Sequence, residues 1–379
     1  MLYEVQEHPL IERLTALKIL WLSHRDLKNP ASGGAERALY EIGRRLVSKG
    51  HSFTNITVCW NGSQKRENIN GIDTIRLPGN LLAHFIVPVL LRKLSFDIVV
   101  DDLGHAVPWM SELIIRKPGV VLFYHLHRRS LPGQVPKSLG FLISSAESMY
   151  KFAYQTWPFI TVSETSISDL MALGIERKRI NKIPLGVDLD IFKPGIKQRS
   201  PQIVYFGGMR DYKRPWEAIY AVKPVLQAIP AIKLIIIGSG PSLDKVRMAV
   251  KECDMEKNVE LLGKNLNHDE LANLLSSSWL NIHSSVTEGF GLSILEAAAS
   301  GVPTVAYNVP GVSETIKQGQ NGILVDDDDI QSMTQAIKKI LDEYPGHWVE
   351  TSRSIAAGYS WDRTAKLWED HLETIIDQQ

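Results

Sequence analysis

Two carboxylates, Glu288 and Glu296, stand eight residues apart with a glycine turn between them, in the stretch EGFGLSILEAAASG that closes at Gly301. Gly289 and Gly291 turn the chain, and the apolar Leu292, Ile294 and Leu295 read as the start of a buried helix. Small residues, Ala297 to Ala299, continue it, and Gly301 with Pro303 ends it. A helix opened by glycine leaves backbone N–H groups around Phe290, Gly291 and Leu292 without intrahelical partners, and its dipole adds positive charge there. That suits a phosphate group. Glu296, in the first turns, can accept hydrogen bonds from two vicinal hydroxyls, while Glu288, just before the helix, can face whatever lies beyond the phosphate. A diol, a phosphate and a further polar group in a row describe a nucleotide sugar. The plainer reading is a βα loop whose glutamates are solvated and whose glycines only make the turn.

The elements that must position these groups repeat along the chain. The run KILWLS, from Lys18 to Ser23, is short and apolar enough for a buried parallel strand. Gly33 and Gly34 then open a helix with Ala38, Leu39, Ile42, Leu46 and Val47 at helical spacing, ended by Gly50, which presents a second set of free N–H groups to an anion. Further strands are predicted at 55–60, 72–76, 96–101, 120–125 and 159–162, with Ser163-Glu164-Thr165 capping the helix that follows. The stretch GIKQRSP, 195–201, has linker composition. A second series of strands follows at 203–206, 234–237, 259–262, 280–283, 304–307 and 323–325. Strands alternating with helical stretches predict an α/β chain with two doubly wound, Rossmann-like parallel sheets, whose ligands lie beyond the strands' carboxyl ends.

Other candidates sit at such ends. His125 closes the strand GVVLFYH, with His127, Arg128 and Arg129 behind it, and Lys213 lies in GGMRDYKRP with Arg210 and Arg214. Cations aimed at a departing diphosphate stabilise the transition state more than the ground state. Asp101 and Asp102 lack a third ligand, and Asp326 to Asp329 reads as a solvated loop, so no metal is expected.

The uninterrupted match from Glu288 to Pro303 closely resembles the E-x7-E signature of retaining glycosyltransferases of family four, which have the GT-B fold. GGAERALYEIGRRLVSKGH resembles that family's N-terminal signature, IPLGVDLDIFKP the segment that ends its first domain, and the tail from Trp361 its closing helix. The resemblance implies two Rossmann-like domains facing across a cleft. Residues 1–196 would form the acceptor side, 197–360 would bind the nucleotide sugar, and helix 361–379 would pack back on the first domain. It implies retaining, metal-independent, hexosyltransferase-type transfer to an acceptor that is lipid-linked or a glycan, with the donor as substrate and no cofactor. Glu296 would hold the ribose hydroxyls, and Gly33, Gly34, Lys213 and the N–H groups of Gly289 to Leu292 the diphosphate. Glu288 would face the sugar's hydroxyls, and His125 would assist on the sugar or acceptor side, with His127 as a spare. The family's arginine ahead of the lysine is Gly208 here; Arg210 and Arg214 are the available replacements. No residue is a clear covalent nucleophile, which fits a same-face mechanism. A catalytically weak nucleotide-sugar-binding module and a GT-B epimerase without an acceptor are the alternatives.

The chain has 379 residues, 44% hydrophobic and 22% charged, with a formal net charge of zero. That length accommodates two ordinary domains, and the charge balance argues against a dedicated nucleic-acid binder. Cys59 and Cys253 lie far apart and predict neither a disulfide framework nor a metal site, which points to a reducing compartment. The N-terminal MLYEVQEHPLIERLTALK is polar and no stretch approaches about 20 uninterrupted apolar residues, so a cytoplasmic protein is expected. The apolar LLAHFIVPVLLRKL and an aromatic segment with Phe141, Tyr150, Phe152, Tyr154 and Trp157 are flanked by Arg92, Lys93, Lys137 and Lys151. They read either as core or as a surface for an anionic membrane, and peripheral attachment to the cytoplasmic face is the expectation carried forward.

Overall fold

Two separate sheets organise the computed structural model, which describes residues 16–129, 131, 135–263 and 266–378. The first contains β1 (Lys18–Leu22), β2 (Ser52–Val58), β3 (Arg66–Ile69), β4 (Ile72–Leu77), β5 (Ile98–Asp102), β6 (Gly119–Phe123), β7 (Phe159–Thr161) and β8 (Ile180–Lys182). The second contains β9 (Gln202–Phe206), β10 (Lys233–Ile237), β11 (Val259–Leu262), β12 (Leu280–His283), β13 (Thr304–Tyr307) and β14 (Gly322–Val325). Their orders are β3-β4-β2-β1-β5-β6-β7-β8 and β11-β10-β9-β12-β13-β14. Every pairing is parallel except the β3–β4 hairpin. Strand order reverses between β1 and β5 and again between β9 and β12, and such switch points open a crevice at the strands' carboxyl ends.

Helices α1 (Gly34–Ser48), α2 (Asn80–Lys93), α3 (Lys137–Ser148), α4 (Tyr150–Ala153) and α5 (Glu164–Ala172) accompany the first sheet. Helices α6 (Glu217–Leu226), α7 (Leu243–Glu252), α8 (His268–Ser277), α9 (Leu292–Ala299), α10 (Ile330–Glu343) and α11 (Trp348–Ala357) accompany the second. The last helix, α12 (Trp361–Asp377), returns to the first sheet. Its Trp368 lies 4.9 Å from Trp21 of β1, and its Glu369 accepts from His51 at 3.1 Å. Arg45 of α1 donates to Asp362 at 2.6 Å, and Val187 pairs with Ser360 where the chain crosses back.

A second contact joins the two halves near α5. Ser163 caps that helix through Ser166 N, as its sequence predicts, and Glu314 from beyond β13 accepts from the N–H groups of Glu164 at 2.8 Å and Thr165 at 3.0 Å. A carboxylate at a helix N-terminus satisfies orphan donors and meets the positive end of the dipole.

The aromatic segment divides. It breaks at Met149 into α3 and α4, and Tyr150, Tyr154 and Trp157 are core residues, not surface ones. Trp157 fills the space beside Gly119, where a Cβ would come within 2.4 Å of its ring. Phe141, Leu142 and Phe152 stay exposed, as do Leu81, Leu82, Phe85 and Val89 of α2. Among the described residues no helix is long and apolar enough to cross a membrane.

Candidate active site

Glu288 lies in the loop between β12 and α9, and Lys213 in the loop after β9, so the second sheet's switch point brings them together. Lys213 Nζ donates to Glu288 Oε1 at 2.6 Å and Ser285 Oγ donates to the same oxygen at 2.8 Å. His283 Nε2, at the end of β12, lies 3.1 Å from it. Burial alone would push the Glu288 carboxyl up, but Lys213 and His283 outweigh it and hold the group well below the usual carboxylate range. Lys213 shows the mirror image: burial lowers its pKa, and Glu288 with Tyr212 more than restores it. Glu288 Oε2 accepts no protein hydrogen bond among the described residues. The loop's backbone is braced from behind, with Glu288 N donating to Pro310 O at 2.9 Å. Gly311 packs so closely there, at φ +79, that a Cβ would fall 1.9 Å from Glu288 O.

His125, just past β6 of the first sheet, meets this loop across the crevice. A Cβ on Gly289 would stand 3.2 Å from His125 Nδ1, which is contact only a glycine or a displaced ring allows. Burial, then the neighbouring His127, push the His125 imidazole down to about 3, so it is neutral at physiological pH. Its Nδ1 is buried without a hydrogen-bond partner among the described residues. His127 stacks on it at 5.0 Å but is tied elsewhere, with Nε2 3.1 Å from Gly104 O and its backbone N–H donating to Glu147 at 2.5 Å. Of the two histidines, His125 is the one that abuts the Gly289 turn.

The two glycine-led helices face one another. Gly33 caps α1, with its N–H held by Glu36 at 2.7 Å, and Gly291, at φ +81, precedes α9, which has no side-chain cap. A Cβ added to Gly34 would lie 3.1 Å from Leu292 Cδ1 of α9. Phe290 is buried and anchors the turn against Tyr359, ring centres 5.9 Å apart. One turn into α9, Glu296 is buried and its Oε1 pairs with Nη1 of Arg37, one turn into α1.

Arg210 and Arg214 part company. A Cβ on Gly208 would touch Arg210 Nε and Cγ at 3.9 and 4.0 Å, so the Arg210 side chain lies over the space that a residue at 208 would fill. Arg214 instead donates to Ser284 O at 3.1 Å and pairs with Asp327 and Asp328. The acidic run is therefore not a purely solvated loop, and Asp329 caps α10 through Ser332 N at 2.9 Å. Asp101 and Asp102 are buried structural groups. Ser111 and Tyr154 donate to the first, and Trp21 with the Gly104 N–H donates to the second. Among the described residues no cluster of His, Cys, Asp or Glu is arranged to hold a metal.

Sequence reasoning missed Arg37, Ser285 and His283. Arg37 had a signal, since it follows the Gly33-Gly34 pair by one helical turn and shares its face; His283 had one too, as the last residue of a buried strand.

Residues 32–191 match the family model described as Glycosyltransferase Family 4, and residues 187–356 match that described as Glycosyl transferases group 1. The chain is similar to N-acetyl-alpha-D-glucosaminyl L-malate synthase of Bacillus anthracis, 33% identical over 83% of this chain and 86% of that protein. It is similar also to poly(glycerol-phosphate) alpha-glucosyltransferase of Bacillus subtilis, 27% identical over 57% of this chain, although it spans only 32% of that relative's length. Among solved structures, sucrose-phosphate synthase from Thermosynechococcus elongatus superposes with a TM-score of 0.81 over 96% of this chain and 100% of that one. At 18% identity this is a likeness of fold alone. The fold is that of the GT-B glycosyltransferases. Within them, the chain belongs to glycosyltransferase family 4.

Proposed function

We propose that the protein transfers a sugar, with retention at the anomeric carbon, from a nucleoside diphosphate donor to an acceptor that is lipid-linked or part of a glycan. One observation carries this reading: the Glu288–Lys213 ion pair, the neutral His125 against Gly289 and the facing ends of α1 and α9 converge at the sheets' carboxyl ends. In this reading residues 1–196 form the acceptor side, with 361–379 packed back on it, and 197–360 hold the donor. Glu296 takes the ribose hydroxyls. Gly33, Gly34, the N–H groups from Gly289 to Leu292, Lys213 and Arg210 beside Gly208 lie along the diphosphate.

As the bond from the anomeric carbon to the diphosphate oxygen breaks, charge collects on that oxygen, and Lys213 with the helix ends stabilises it there more than in the ground state. Glu288 and the neutral His125 bond the sugar's hydroxyls. The acceptor hydroxyl attacks the face from which the diphosphate leaves and passes its proton to the departing phosphate oxygen, so the step calls for neither a side-chain nucleophile nor a metal. The exposed apolar side chains of α2 and α3 favour a lipid-linked acceptor and a peripheral position on a membrane.

Thermal shift with UDP-, GDP- and ADP-sugars tests donor binding, because a bound ligand raises apparent stability by mass action. Release of the nucleoside diphosphate in excess EDTA, with and without acceptor, then tests transfer. Release that depends on the acceptor and ignores EDTA is expected. Donor isomerised without acceptor would identify an epimerase, and a shift without turnover a binding module. Activity lost in EDTA and restored by Mg²⁺ would overturn the metal-free step.

A further inference from the structure

We propose that Arg37 is a positioning residue of the donor site, supplied by the first domain: it holds one oxygen of Glu296 and leaves the other for the ribose hydroxyls. This rests on the reading of Glu296 as the ribose carboxylate. The two side chains come from different sheets. Each stands one turn past the point where Gly34 and Leu292 meet, and they reach toward each other with only 15% and 8% of their side-chain surface exposed.

The pair is unsaturated on both sides. Arg37 Nε is buried with no acceptor among the described residues, and Glu296 Oε2 accepts no bond there. A buried ion pair is well accommodated only when its remaining donors and acceptors are also met. A vicinal diol meets both requirements at once, since one hydroxyl can donate to the free carboxylate oxygen while accepting from the guanidinium.

The surroundings fit such a guest. The Arg37 guanidinium lies 5.7 Å from the Phe192 ring, in the connection between the sheets, and His268 of α8 lies 6.4 Å beyond Phe192. Burial, then the charge on Arg37, lower the His268 pKa, so the wall opposite the cation adds no second positive charge. An arginine that only bridged the two sheets' helices would be expected to satisfy its whole fork on protein acceptors. This one does not.

The test uses the full-length protein and calorimetry with UDP, GDP and ADP, each beside its 2′-deoxy form. Wild type should prefer the ribose form. Arg37→Gln, which can still donate one hydrogen bond but carries no charge, and Arg37→Ala should weaken the ribose form about tenfold to a hundredfold, the range of a hydrogen bond to a charged group. The 2′-deoxy form should change little. Adding Arg37→Ala to Glu296→Ala should cost no more than Glu296→Ala alone, because the two act as a unit. Arg37→Lys should recover part of the loss. Equal losses for both sugars would make Arg37 a strut between the domains, and tighter binding by Arg37→Ala would make it a latch; either overturns the proposal. Wild-type protein that binds none of the three diphosphates removes the reading of the site itself.

Discussion

Glu288 and Lys213 are each buried deeply enough that neither would comfortably keep its charge alone; together they do. Acid should undo the site in two stages. The His125 imidazole titrates at about 3 in the folded protein against 6.5 in an unfolded chain, so the unfolded state binds the extra proton across that window. Stability is then lost as pH falls from about 6.5, and His105, pushed down to about 4 by burial and then Arg25, adds to the same slope. Glu288 acts lower: its folded carboxyl lies below its ordinary 4.5, so its contribution is present above that value and lost beneath it. Asp101 and Asp102, pushed up to about 6 and about 7 by burial, oppose that slope, so the test compares variants: in urea midpoints measured from pH 7 to pH 4, His125→Asn should lose less stability than wild type between pH 6.5 and 5. An equal fall from pH 6.5 to 5 in wild type and in His125→Asn would contradict the buried, neutral His125.

The arginine missing at 208 makes a separate test. If Arg210 has taken over its work, Arg210→Ala should raise the donor KM about tenfold, the scale of one charge-assisted contact, and Gly208→Arg in that background should restore it. No loss from Arg210→Ala would leave Lys213 as the loop's working cation. The residues at stake were legible where they stand at a fixed offset from a glycine turn or a strand end, as Glu288, Glu296, Lys213 and His125 do. Arg37 stands at such an offset too, but its pairing with Glu296 was not legible, because that partner lies 259 positions away and no local period links them. For the same reason Asp327 and Asp328 looked solvated until Arg214 appeared beside them.

At the level of elements, α2 explains why its segment was ambiguous. Ala83, Val87 and Leu91 are buried while Leu81, Leu82, Phe85 and Val89 point outward, so the helix is apolar on both faces and its pattern carries no inside and outside. The outward set, with Phe141 and Leu142 of α3 and Phe152 of α4 and with Arg92, Lys93 and Lys151 alongside, suits an interface between water and anionic lipid. Liposomes containing anionic phosphatidylglycerol should sediment the protein at low salt, less so at high salt, and Phe85→Ser with Phe141→Ser should release it. Failure to sediment at low salt, with efficient transfer to a small soluble acceptor, would remove the membrane from the reading. Most of the strands were legible as short apolar runs between breakers. The exceptions have local causes: β8, Ile180 to Lys182, carries a single apolar residue, and β3 is polar and depends on its partner. The hairpin's sign was present all the same, in Asn70-Gly71, both at positive φ.

Across the whole molecule, the chain passes between the two sheets twice, once after β8 and once where α11 gives way to α12. Arg353 of α11 fastens the first passage from the other side, donating to the carbonyls of Leu189 at 2.9 Å and Phe192 at 2.6 Å. Ile196, almost fully exposed, is the open point of that passage. A protease site inserted there should be cut without parting the pieces. After cleavage both fragments should co-elute in size exclusion, because the C-terminal piece carries α12, whose Trp361, Trp368 and Leu372 are buried. Separation on cutting would mean that the connecting peptide, and not the returned helix, holds the halves together. If the nicked protein stays whole, its halves can be made as two polypeptides that find each other in solution, and an unbroken backbone across the cleft becomes a convenience of synthesis, while the final helix serves as the clasp.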